Sequence, residues 1–235
     1  MKGKARCKDS LGGWVLCLGL HNMPIVTDFG PDVQVYVMQF ALQIFPRPAV
    51  CPHCQACGTL IGHGFYARHA TDGEHAWRLW IKRWYCTACH HTTSLLPSFL
   101  LRFRHYLLCV IQAVVVARFA AHASLSQVCA SAATATELPA ACTCVRWCAS
   151  FAHEAARWWA AVQQTLAQQD PNSPGLDPLG EAAGPRDVPA ALLHASVNLL
   201  AWAQTRWAEV RSYGLSERLR FLWHWGSGQG LGRLV

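Results

Sequence analysis

The chain has 235 residues, 52% hydrophobic and 14% charged, with a formal net charge of +7 at pH 7. This apolar content excludes global disorder and leaves room for one sizeable domain or two small ones. The positive balance permits a polyanionic partner without requiring one.

Residues 1–44 are set apart as a leader. Lys2, Lys4, Arg6 and Lys8, followed by Leu11 to Leu20, imitate the basic and apolar regions of a signal peptide. His21, Asn22 and Pro24 stand where a small-residue cleavage site would be needed, so export is not expected. A true start at Met23 or Met38 is the alternative, and residues 1–36 receive no physical role. Gln34 to Phe45, with its β-branched and aromatic residues, reads as a strand. Pro46 and Pro48 then impose an extended approach to the next segment.

Residues 45–100 carry the strongest pattern. Cys51-Pro52-His53-Cys54 and Cys86-Thr87-Ala88-Cys89 are two CxxC knuckles separated by a predicted hairpin, which can bring four thiolates around one tetrahedral zinc. Cys57 leaves a second pairing open, Cys54 with Cys57. Pro52 favours a knuckle at Cys51 and Gly58 one at Cys57; Cys51 and Cys54 are taken as the pair. His53, His90 and His91 are near enough in sequence to substitute. Four thiolates close the shell, so one structural rather than catalytic zinc is expected. A thiol oxidoreductase would set one CxxC at the head of a helix in a βαβ unit, and no such unit is legible here.

Between the knuckles, Gly62 to Arg68 and Trp77 to Tyr85 read as strands, with Thr71-Asp72-Gly73-Glu74 as their turn. Alternation puts Trp77, Leu79, Ile81 and Tyr85 on one face of the second strand, interrupted by Arg83, and Arg78, Trp80, Lys82 and Trp84 on the other. Cations beside flat rings suit a phosphate backbone and its bases. Arg78, Lys82 and Arg83 are therefore candidate phosphate contacts, Trp80 and Trp84 stack or pack, and Arg102 and Arg104 extend the path. An ordinary solvated face whose tryptophans pack on a neighbouring domain is the alternative.

Residues 101–169 read as helical. Leu95 to Phe103 leads into helices at His105 to Ala121 and Leu125 to Ala133, the latter capped by Ser124. After a turn at Thr134 to Leu138, a third starts near Pro139 and runs through Thr143-Cys144-Val145-Arg146-Trp147 towards Leu166. Thr143 and Arg146 on that helix suit a helix-turn-helix, with Arg146 the candidate for the major groove. The connection exceeds a tight turn, and three helices also pack without DNA. Leu107 to Ala117, interrupted by Gln112, is too short to span a membrane and reads as buried. Residues 170–189 read as a linker. Residues 190–235 hold a helix at Ala190 to Tyr213, a short one at Ser216 to Trp225, and an irregular tail from Gly226.

Cys109, Cys129, Cys142, Cys144 and Cys148 lie in Ala-rich surroundings where free cysteine acts as a small hydrophobe, which suits a reducing cytoplasm. Trp next to Arg, as at Trp77-Arg78 and Arg146-Trp147, reads as core with an outward-reaching cation. Carboxylates are scattered, and the densest set, Asp170, Asp177, Glu181 and Asp187, falls in the linker. With no G-x-S-x-G elbow or phosphate loop either, no enzyme, small-molecule substrate or membrane partner is expected. The fold class is α+β: a small β zinc ribbon, then a mainly α-helical region with a helix-turn-helix.

Cys51-Pro-His-Cys54, Leu60-Ile-Gly-His-Gly-Phe-Tyr-Ala-Arg68, the basic strand Arg78 to Tyr85, Cys86-Thr-Ala-Cys89 and Thr93-Ser-Leu-Leu-Pro-Ser-Phe-Leu100 together resemble the zinc-ribbon head of bacterial insertion-sequence transposases and their small relatives. Leu222-Trp-His-Trp-Gly226 is similar to the ending of short stand-alone members. The resemblance implies zinc on Cys51, Cys54, Cys86 and Cys89, and DNA binding by the helices near Val145-Arg146-Trp147. It also implies a mobile-element setting, with a transposase or a second copy as a further partner. The acidic catalytic domain of a full transposase is missing, so no DNA cleavage is expected. The rival reading is a zinc-stabilised adapter whose Trp158, Trp202 and Trp207 bury against a partner protein.

Overall fold

The computed structural model describes residues 24–30, 32–131, 139–169, 171 and 188–235, the side chains of 129–131 excepted. Most of the expected leader, the 134–138 turn and nearly all of the expected linker, with its four carboxylates, lie outside these residues. The chain divides into two compact units. The first holds the described residues up to Ala70, Ala76–His105 and His224–Gly232; the second holds Thr71–His75, the described residues of Tyr106–Trp223, and Arg233–Val235.

The first unit is built on a four-stranded sheet of order β1-β4-β3-β2, where β1 is Ile25–Thr27, β2 Leu60–Thr71, β3 Ala76–Cys86 and β4 Thr92–Pro97. β2 and β3 are joined by only four residues, which permits only antiparallel pairing. The Asp72 carboxylate fixes this turn by accepting from the backbone amides of Glu74 (2.9 Å) and His75 (2.7 Å). β4 runs antiparallel to β3, with Trp84 opposite Thr93, and parallel to β1, with Val26 opposite Leu96. Neither β1 nor β4 was anticipated. Both are short, and Pro97 ends β4 where a missing N–H is tolerated.

One expectation is overturned. Gln34 to Phe45 is not a strand; Val33–Ala41 forms helix α1. Its aromatic and β-branched content suggests a strand, but Asp32 caps the first turn by accepting from the Gln34 amide at 2.7 Å. Val33, Tyr36 and Phe40 then recur at helical spacing. The Tyr36 hydroxyl donates to the Trp80 carbonyl on β3 at 2.8 Å. Its ring meets Phe29 and Phe99 edge-on at 5.0 and 5.9 Å. Residues read as a leader thus supply an edge strand and part of the core.

The second unit is helical: α2 Leu108–Phe119, α3 Leu125–Ser131, α4 Ala141–Gln169, α5 Val188–Arg206, two short 3₁₀ turns, and α6 beginning at Arg218. Ser124 and Gln127 form a reciprocal cap at the head of α3, the Gln127 amide donating to the Ser124 hydroxyl and the Ser124 amide to Gln127 Oε1. α2, α3 and α4 pack on one another, and α4 packs along α5. Cys144, Trp147, Phe151, Trp158 and Leu166 give α4 a buried stripe over most of its 29 residues. Gln112, which interrupts the apolar run of α2, is buried for a reason. Its side-chain nitrogen donates to the Ser216 carbonyl, and its oxygen accepts from the Leu219 amide at 2.8 Å, satisfying backbone at the start of α6. The tail is less irregular than expected: α6 continues to Gly228, and Leu234 and Val235 are buried. The Trp158 indole donates to the Arg233 carbonyl at 2.6 Å.

Candidate metal centre and basic surface

The two knuckles are built alike. Four residues after the first cysteine of each, an amide returns to that cysteine's carbonyl: Gln55 to Cys51 and His90 to Cys86, both at 2.9 Å. The amides of Cys51 and Cys86 in turn donate to the carbonyls of Ala56 (3.1 Å) and His91 (2.9 Å). Gln55 and His90 take the same left-handed conformation, φ 61° and 62°. This equivalence pairs Cys51 with Cys86 and Cys54 with Cys89. Cys57 is exposed and outside the group.

The Sγ atoms of Cys51, Cys54, Cys86 and Cys89 all lie within 4.8 Å of one another. Cys51 to Cys89 and Cys54 to Cys86 are each 3.7 Å. Sulfurs at tetrahedral corners about 2.3 Å from a zinc ion stand about 3.8 Å apart. Separate thiols have no reason to gather so closely, and an all-sulfur set suits a soft, tetrahedral ion. His53 and His91 stack on each other at 4.7 Å, and His90 shares a hydrogen bond with the Tyr85 hydroxyl at 2.7 Å. None of the three belongs to the cluster.

The thiols are not alike electrostatically. Burial pushes Cys86 up, but the Thr59 hydroxyl at 3.1 Å and the amides of Cys89 and Ala88 outweigh it and hold that thiol down at about 6. Cys51 is pushed up to about 12, by burial above all and by its sulfur neighbours. Burial also raises Cys89. The cluster therefore offers a ready thiolate at Cys86, and further negative charge beside it needs a cation to balance it.

The structure splits the expected basic strand between two faces. Arg78 and Trp80 are exposed on one, the guanidinium 5.4 Å from the indole ring. Lys82 follows, with Nζ 4.4 Å from the Phe65 ring. That face then closes: Trp84, opposite buried Thr93, is only 8% exposed and packs rather than presenting a ring to solvent. Arg83 points to the opposite side of β3, in register with Ser94. Arg102 lies over the Phe103 ring at 4.5 Å, and Arg104 is half-buried. In the second unit Arg146 is exposed and donates to the Thr143 hydroxyl at 3.2 Å. The tryptophans of the adapter reading are largely spent inside: Trp158 and Trp202 are buried, and Trp207 meets Trp202 edge-on at 5.1 Å. Among the outlying cysteines, Cys144 and Cys148 are buried as expected, but Cys109 and Cys142 are exposed.

Two arginines escaped sequence reading as structural pieces. Arg47 donates to the carbonyls of Leu60 (2.9 Å) and Gly58 (3.0 Å), tying the first knuckle to β2. Arg68 donates to the carbonyls of Leu101 and Arg104. Neither partner is a neighbour in sequence, so no local signal marks either one.

Residues 51–147 match a family model described as a domain of unknown function (DUF6431). The match starts at the first cysteine of the cluster and ends inside α4. No curated protein matches the chain, and no solved structure does. Among the described residues, no helix is long and apolar enough to cross a membrane.

Proposed function

We propose that this chain is a cytoplasmic DNA-binding protein, related to bacterial insertion-sequence transposases, in which one structural zinc fixes a ribbon and no catalytic step is carried out. One observation carries the reading. Residues 47–104, which include the β2–β3 hairpin and the four clustered cysteines, hold seven arginine and lysine side chains against two carboxylates, Asp72 and Glu74, both in the hairpin turn. Asp72 is engaged within that turn, accepting from the Glu74 and His75 amides. An excess of positive charge on a scaffold held by clustered cysteines is what a phosphate backbone recognises.

Arg78 and Lys82 contact phosphates from one face of β3 and Arg83 from the other, with Trp80 beside Arg78. In the second unit α4 serves as the recognition helix of a helix-turn-helix, with Thr143 and Arg146 at the groove. The test is DNA retention by the wild type and by Arg78→Glu/Lys82→Glu. The double variant is expected to lose at least about tenfold in affinity with metal content and circular dichroism intact. Wild-type affinity is expected to fall steeply with salt, log K declining by about 0.9 per log unit of salt for each phosphate neutralised. Undiminished DNA binding by the double variant, or indifference to salt, overturns the reading.

A further inference from the structure

On the Arg83 face of the sheet lies a groove of about 340 Å³, within the first unit. Its walls include Tyr66 and Arg68 of β2, Thr92 and Ser94 of β4, and Arg102 and Phe103 of the loop beyond. Among the described residues no carboxylate lies within ion-pair distance of the two lining arginines, Arg68 and Arg102. The groove is thus cationic, rimmed with hydroxyls, and carries two aromatic rings.

Phe103 is the telling residue. It is 73% exposed, which forgoes most of the benefit of burying a phenylalanine. It also holds φ at 61°, a conformation costly for a bulky side chain. Such strain persists only where the surroundings enforce it. Here they do: Arg68 grips the carbonyls of Leu101 and Arg104 on either side, the Arg104 amide returns to the Leu101 carbonyl at 3.3 Å, and Leu100 and Leu101 anchor the loop in the core. The loop holds a ring out at the mouth of a cationic groove, with the Arg102 guanidinium over it.

We propose that this groove takes one unpaired nucleotide, its base stacked on Phe103 and its phosphate held by Arg102, with the Thr92 and Ser94 hydroxyls at hand. A base supplies a flat face for an exposed ring, its phosphate supplies the missing anion, and the volume lies at the small end of ligand sites. The inference rests on the DNA-binding reading and adds to it a preference for distorted or single-stranded DNA over regular duplex.

The test compares a regular duplex with the same duplex carrying one extrahelical adenosine, by fluorescence anisotropy at fixed salt, for full-length wild type, Phe103→Ala and Arg102→Gln. The wild type is expected to favour the bulged duplex by roughly 5- to 100-fold, the worth of one stacked base. Phe103→Ala is expected to abolish that preference while keeping regular-duplex affinity within about twofold, and Arg102→Gln to reduce it. Equal wild-type affinity for both probes, or a preference that survives Phe103→Ala, overturns the groove proposal and leaves the DNA-binding reading standing. Failure to bind either probe overturns both.

Discussion

Thr59 shows how one hydroxyl prepares a candidate metal centre. It stands 3.1 Å from Cys86 Sγ and helps hold that thiol in its charged form against the cost of burial. Thr59→Val is expected to weaken metal affinity by about 10- to 100-fold in chelator competition, as loss of a ligand's supporting contact generally does. Cys57→Ser should leave metal stoichiometry unchanged, because that thiol is outside the cluster; a drop would restore the pairing of Cys54 with Cys57. Tyr36→Phe removes a hydroxyl that burial keeps protonated well above its usual range and leaves the Trp80 carbonyl without this donor. Denaturant unfolding should show a loss of about 1 kcal/mol. The cysteines were legible from spacing alone, whereas Thr59, Arg47 and Arg68 act through distant partners that no local pattern announces. Phe103 was less visible still: a strained backbone at a non-glycine residue leaves no mark in the sequence.

At the scale of elements, the knuckles and the hairpin between them depend on each other. Each knuckle turn is closed by two backbone hydrogen bonds and a left-handed residue that is not glycine, so a metal held by the four cysteines would offset some of the strain. The thiol environments fix the sign of the pH dependence. At pH 7 Cys86, held down at about 6, has given up its proton, whereas Cys51, pushed up to about 12, and the raised Cys89 have not. Metal binding must expel those protons, so apparent affinity rises with pH, by about tenfold per unit for each proton released. Below pH 6 Cys86 joins them and the fall on acidification steepens. Affinity that is flat between pH 6 and 8 would contradict this. Sequence reading succeeded with β2 and β3 because alternation in β3 and a turn signal agreed, with α2 and α4 because their apolar spacing was long, and with the seven-residue α3 because Ser124 marks its start. It failed at α1, where composition and periodicity disagreed and the cap at Asp32 decided the outcome. It missed β4, a strand defined by its register against β3 rather than by any alternation of its own.

At the scale of the molecule, each unit has a core of its own. The second buries Trp147, Trp158, Trp202 and Trp223 along α4, α5 and α6; the first leaves cations on both faces of one sheet. That last arrangement was only partly legible. Alternation assigned Arg83 and Arg78 to opposite faces, but the groove on the Arg83 side draws on β2, β4 and the 102–103 loop, which lie far apart in the chain. The most direct test of a metal-fixed ribbon is metal content per chain, by native mass spectrometry, for the wild type beside Cys86→Ser/Cys89→Ser. One zinc per wild-type chain is expected, absent from the variant together with the cooperative unfolding of the first unit. A metal-replete wild type that carries no ion, or a variant that keeps it, would contradict the assignment.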